Sequence, residues 1–180
     1  MPNTATKTSA KASKGASTKP ATRKTATSDA TTLLSADHKE VKALFKAYDK
    51  LVKDEAAPAE KQALALQICT MLTVHATIEE EIFYPAARDV LGKDEDLIDE
   101  ADVEHASAKA LIAQIEAGSP DEPLFDAKVK VLGEYIDHHV KEEEDEMFVK
   151  VRKTDLDLDA IGEELQARKA ELLGEAEEAH

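Results

Sequence analysis

From Thr31 onward, large apolar residues recur every three to four positions, the spacing that keeps side chains on one face of an α-helix. A first helix is predicted over residues 32–53, with an inner stripe of Leu34, His38, Val41, Phe45, Tyr48 and Val52. A second is predicted over 59–90, opened by Pro58 and carrying Leu64, Ile68, Met71 or Leu72, His75, Ile78, Glu79, Ile82 and Phe83. Pro85 is expected to kink or divide it, because the ring removes a backbone donor and crowds the preceding turn. A third spans 94–117 and stops at Gly118-Ser119-Pro120, with Leu97, Ala101, His105, Ala108, Ile112 and Ile115 inside. A fourth spans 123–150, with Val129, Leu132, Ile136, His139, Glu143 and Met147 on one face. A shorter helix over 158–173 has few apolar residues and is expected to lie across one end of the molecule. Four long amphipathic helices with short connections predict an all-α, antiparallel four-helix bundle over residues 31–151, followed by an extra helix and tail over 152–180.

Composition agrees with helix over sheet: 4% of residues are aromatic and there is no Trp, too few strand formers for a sheet. The 180 residues suffice for one domain with a substantial core. The one cysteine, Cys69, excludes an internal disulfide framework and suits a reducing cytoplasm. It lies one residue off the inner stripe, so a packing role is expected. No run approaches the ~20 apolar residues of a membrane span, and no apolar signal segment opens the chain. The expectation is a cytoplasmic protein with no membrane partner.

Charge divides the chain. Residues 1–30 are mostly Ala, Thr, Ser and Lys, with six basic residues against Asp29 alone, a net of +5 that leaves −20 for the remainder. Such a segment cannot bury enough surface to offset its ordering entropy, so it is predicted to be a disordered basic tail. Nucleic acid or an acidic partner is expected to bind only there, since the acidic body repels phosphate.

Polar residues interrupt every apolar stripe. His38, His75, His105 and His139 each stand at an inward position of one long helix, and the whole chain has six His. Two of those helices add a Glu one turn on, as His75-x-x-x-Glu79 and His139-x-x-x-Glu143, a spacing that puts both groups on one face. Successive His separations of 37, 30 and 34 residues match one antiparallel helix plus its turn, so all four fall at similar depth. Burying these groups unpaired would cost several kcal/mol, which a shared metal ion would offset. Imidazole with carboxylate suits iron, zinc or manganese and argues against calcium or magnesium. Six ligands exceed the needs of one tetrahedral zinc and fit two ions bridged by the carboxylates. His138 with Glu142 competes for the fourth helix's place from about 100° around the axis, although the apolar stripe favours His139. The acidic residues Glu80, Glu81, Glu144 and Glu146 read as a solvated helix face, and Tyr48 and Tyr84 as core packing.

Four segments together resemble the hemerythrin family, in its HHE cation-binding branch: Asp-His-Lys-Glu-Val-Lys-Ala-Leu-Phe at 37–45, His-Ala-Thr-Ile-Glu-Glu-Glu-Ile-Phe-Tyr-Pro at 75–85, Glu-His at 104–105 and His-His-Val-Lys-Glu-Glu-Glu at 138–144. The resemblance implies a four-helix bundle around an oxo- or hydroxo-bridged di-iron centre. By position it implies His38, His75, His105 and His139 as terminal ligands and Glu79 and Glu143 as bridging carboxylates. Oxygen carriers of the family place a further His four residues after the third-helix ligand, where this chain has Lys109. That departure turns the expectation from oxygen transport toward binding or sensing of dioxygen, a related small oxidant such as peroxide or nitric oxide, or iron itself. A modest peroxide-decomposing or iron-oxidising enzyme is the second reading, and an interaction protein with a stabilising metal the third. A ferritin-like oxidase is disfavoured, because such bundles use Glu-x-x-His and more carboxylates than His.

Overall fold

The computed structural model describes residues 28–178. The disordered tail predicted for the start of the chain lies almost wholly outside them. Helix α1 (Ala30–Lys53) begins at Asp29, whose carboxylate accepts the Thr32 N–H at 3.1 Å and both the Thr31 and Thr32 hydroxyls at 2.6 Å. A carboxylate there satisfies a backbone donor that the first turn leaves free. Helix α2 (Pro58–Ile78) runs back against α1, and Pro58 opens it without sacrificing a helical hydrogen bond. After a π-helical segment, Glu79–Phe83, the same rod continues as α3 (Tyr84–Leu91), and a tight turn at Gly92, with φ +54°, leads to α4 (Asp96–Glu116). Helix α5 (Phe125–Glu142) returns along α4, widens into a second π-helical segment, Glu143–Met147, and ends as α6 (Phe148–Val151). No strand occurs among the described residues.

Helix α7 (Leu158–Glu178) is longer than the sequence pattern suggests and is placed differently. It does not cross an end of the bundle. It runs alongside α1 and α2, since Gly162 touches the backbone of 28–30 while Lys169, two turns on, reaches Asp37. A Cβ on Gly162 would stand 2.4 Å from the Ser28 carbonyl oxygen, so glycine is what permits this approach. Ile161 and Leu165 anchor the helix in the core, and Arg168 pairs with Glu81 at 2.8 Å.

The core has two parts. One gathers Leu34, Ile78, Phe83, Tyr84, Ile98, Met147 and Phe148 with the inner face of α7. The other gathers Val41, Tyr48, Ile68, Cys69, Leu72, Ile112, Leu132 and Ile136. Fully burying each Leu, Ile or Phe contributes about 1.5–3 kcal/mol. Phe45 is half-buried, and Val52, assigned to the first stripe, is 37% exposed. Tyr48 packs as expected and donates its hydroxyl to Asp126 at 2.7 Å.

Candidate metal centre

Between the two apolar parts lies a layer of buried polar groups: Asp37, His38, His75, Glu79, His105, His139 and Glu143. The predicted six converge here. His38 and His75 face each other with their Nε2 atoms 3.0 Å apart, and His105 and His139 do the same at 3.1 Å. Glu79 spans the two pairs, its Oε2 lying 3.2 Å from His75 Nε2 and 3.5 Å from His105 Nε2. Glu143 spans them the other way, 3.3 Å from His38 Nε2 and 3.5 Å from His139 Nε2. His138 points away, 63% exposed.

Each imidazole is held from behind by a carboxylate at Nδ1. Glu144 serves His38 at 3.0 Å, Asp37 serves His75 at 3.5 Å, Glu80 serves His105 at 2.9 Å and Glu104 serves His139 at 2.8 Å. An Nδ1–H donated to a carboxylate fixes the tautomer and turns the Nε2 lone pair inward. Glu80 and Glu144 are therefore part of the site and not the bland solvated face their acidic runs suggest. Glu81, also assigned to that face, is 46% exposed and pairs there with Arg168 of α7.

The π segments explain how the carboxylates reach the layer. Both begin at the Glu of a His-x-x-x-Glu, and both close a backbone bond five residues back, Tyr84 N–H to Glu79 O and Phe148 N–H to Glu143 O. The first precedes Pro85, which has no N–H to continue α-helical bonding. The second has no proline, so proline is not the general cause. A wider turn sets residue i+5 over residue i. Tyr84 and Phe148 thus flank the centre: Phe148 stacks on His38 at 5.9 Å, and Tyr84 lies against His105 at 5.4 Å. Tyr84 is more than core packing. Its hydroxyl donates to Glu143 Oε1 at 2.9 Å and lies 3.3 Å from His105 Nε2.

Electrostatics match a site for cations. Burial opposes charge on His75, but Glu79 and Asp37 outweigh it and raise its pKa to about 10. Burial likewise opposes charge on His139, which Glu143 and Glu104 raise to about 9. Burial would raise Glu143, yet His139 and His38 bring it down to about 2. Burial drives the Tyr84 phenol well above its ordinary range, reinforced by Glu143 and Glu79. In each His pair the two inward Nε2 atoms, about 3 Å apart, need a cation between them, either a proton on one imidazole or a metal ion.

The donor set also passes a direct test of fit. Both Glu79 oxygens and Oε2 of Glu143 are fully buried and accept no hydrogen bond, a costly arrangement for carboxylates without a cation. The His–His separations match the ~3.0 Å edge of an octahedron with bonds of ~2.1 Å. Two groups could each hold an ion: His38, His75, Glu79 and Glu143, and Glu79, His105 and His139. Over them, between both His pairs, lies a cavity of about 20 Å³ lined by Val41, Leu72, Ala108, Ile112 and Ile136. That space suits one water-sized molecule. Lys109 lies at its rim and binds Glu80 at 2.6 Å.

A family model described as the hemerythrin HHE cation binding domain matches residues 29–151. A DNA nickase of Nostoc sp. (strain PCC 7120 / SAG 25.82 / UTEX 2576) is 34% identical over 118 residues, 64% of this chain. The chain spans 31% of that relative's length. A solved structure of a hemerythrin HHE cation binding domain-containing protein from Mycobacterium kansasii is similar at a TM-score of 0.68 and 25% identity, over 83% of this chain and 90% of its own.

Proposed function

Because the chain belongs to the hemerythrin HHE cation-binding family, we propose that it holds two iron ions and uses them to bind a small oxidant, dioxygen or peroxide. The observation that carries this reading is the pairing of four inward Nε2 atoms by two buried carboxylates, three of whose four oxygens accept no hydrogen bond. His38 and His75 would hold one ion, His105 and His139 the other, with Glu79 and Glu143 shared. Iron in such a set supplies one-electron redox change and affinity for small oxidants, where zinc supplies neither.

The chain's own residues do the rest. Asp37, Glu80, Glu104 and Glu144 orient the imidazoles and raise their basicity. Val41, Leu72, Ala108, Ile112 and Ile136 exclude bulk water from the cavity and leave space for one small molecule beside the centre. Lys109, occupied by Glu80, adds no ligand on the third helix, which favours sensing or reaction over transport. Tyr84 favours a second reading, peroxide turnover, because its buried hydroxyl can hold a proton at Oη beside the centre.

Anaerobic purification, metal analysis and absorption spectra on exposure to air test the proposal. About two irons per chain and an air-dependent charge-transfer band are expected. Zinc alone, or full metal content in His75→Ala, would sink it. Peroxide turnover that falls in Tyr84→Phe at unchanged iron content would select the second reading.

A further inference from the structure

The two halves of the centre are related by an approximate two-fold exchange, α1 and α2 for α4 and α5. His38 corresponds to His105, His75 to His139, Glu79 to Glu143, and Asp37 to Glu104. The exchange fails at the two positions immediately before His75–Glu79 and His139–Glu143. On α2 these are Val74 and Ile78, 6% and 0% exposed, beside the helix α7 that closes that side. On α5 they are His138 and Glu142, 63% and 33% exposed.

His138 Nε2 lies 3.4 Å from Glu142 Oε1 and 3.6 Å from Glu104 Oε1. Those separations approach the ~3.3 Å edge of a tetrahedron with bonds of ~2.05 Å, and three protein ligands would leave one position open. Glu104 joins this group to the interior, since its other oxygen holds His139 Nδ1 at 2.8 Å. A cavity of about 170 Å³ opens beside the trio and is lined by His138, Glu104, His105 and His139. A second, of about 10 Å³, is lined by Glu100, Glu104, Glu142, His139 and Glu143. Glu143, whose Oε2 faces the buried centre, thus lines the second cavity together with Glu104 and Glu142 of the trio.

We infer that Glu104, His138 and Glu142 form a separate surface site for a divalent transition-metal cation, which loads the buried centre along the α4–α5 face. Imidazole with two carboxylates selects such a cation over calcium or magnesium. Glu100 adds negative charge at the mouth and concentrates cations there. The loading role rests on the reading of the buried centre; the surface site does not.

The experiment compares the full chain with the double variant His138→Ala/Glu142→Gln, neither residue being part of the buried set. Zinc per chain is counted after equilibrium dialysis, and the rate of filling is followed by cobalt(II) absorption. The variant is expected to hold one zinc fewer and to fill the centre about tenfold more slowly, to the same final cobalt absorption from the buried ions. Equal zinc counts overturn the site. A fall of two or more overturns its separateness, and a fall of one with equal filling rates overturns the loading role. A parent chain that holds a single zinc, lost in the variant, supports the surface site while overturning the buried pair.

Discussion

The α1–α2 half and the α4–α5 half of the centre use the same parts in the same order, yet their surroundings differ. On the first half, Lys169 of α7 binds Asp37 at 2.5 Å and so fixes the carboxylate behind His75. On the second, the equivalent carboxylate, Glu104, faces exposed His138. One half carries Phe148 over its imidazole and the other Tyr84, a single hydroxyl apart. The repeated parts are the His and Glu side chains that could hold metal ions. The parts that differ surround them.

The largest effect expected is one that treats the halves alike. Glu79→Gln and Glu143→Gln should each abolish stable retention of both ions, a loss beyond the ~10–100-fold that a supporting carboxylate costs. Metal analysis after gel filtration checks this, and a strong difference between the two variants would break the equivalence. Next is a change confined to the closed half. Gly162→Ala forces a Cβ onto the Ser28 carbonyl, so α7 should loosen and stability fall by about 1–3 kcal/mol. Denaturant unfolding measures it, and hydrogen exchange should rise in α7 while α4 and α5 stay protected.

Protons sharpen the comparison, because one His of each pair is raised. In the metal-free chain His75 and His139 carry protons at neutral pH, so filling the centre should release about two protons and tighten as pH rises. Pulse titration in weak buffer reads the release. Folded pKa values above the ordinary 6.5 stabilise the metal-free fold fully below pH 6.5, and that stabilisation is lost as pH climbs through about 9 to 10. Glu143, lowered from 4.5 to about 2, contributes above pH 4.5 and is lost as pH falls toward 2. Metal-free stability should therefore be greatest between about pH 4.5 and 6.5, and unfolding curves across pH check it. The smallest effect is expected from Tyr84→Phe, which makes the flanking rings alike. It should leave metal content unchanged and alter stability by about 1 kcal/mol, read from thermal unfolding.

Much of this architecture was legible because helical periodicity exposes any polar residue on an apolar face. His38, His75, His105 and His139 stood out for that reason, as did the two Glu residues one turn on. The supporting carboxylates were hidden by their neighbours. Glu80 and Glu144 sit in runs of acid that look like ordinary solvated surface, and both lie within the π-helical segments. The π segments have no compositional mark, since Glu143–Met147 lacks the proline that follows Glu79–Phe83. The course of α7 was equally hidden, because its docking rests on one glycine, two apolar anchors and two ion pairs. What could have signalled the supports is adjacency: Asp37 and Glu104 precede a predicted ligand, and Glu80 and Glu144 follow one.

Cys69 gives this molecule an internal clock. Burial, with Glu116 adding to it, pushes the thiol up to about 12, so a thiol reagent finds neither access nor thiolate while the core is closed. Labelling can then proceed only as often as the packing around Ile68, Leu72 and Ile112 opens. Its rate reports that opening without a metal-sensitive probe. Timed with and without bound cations, one sulfur atom would tell how firmly the centre ties the helices together.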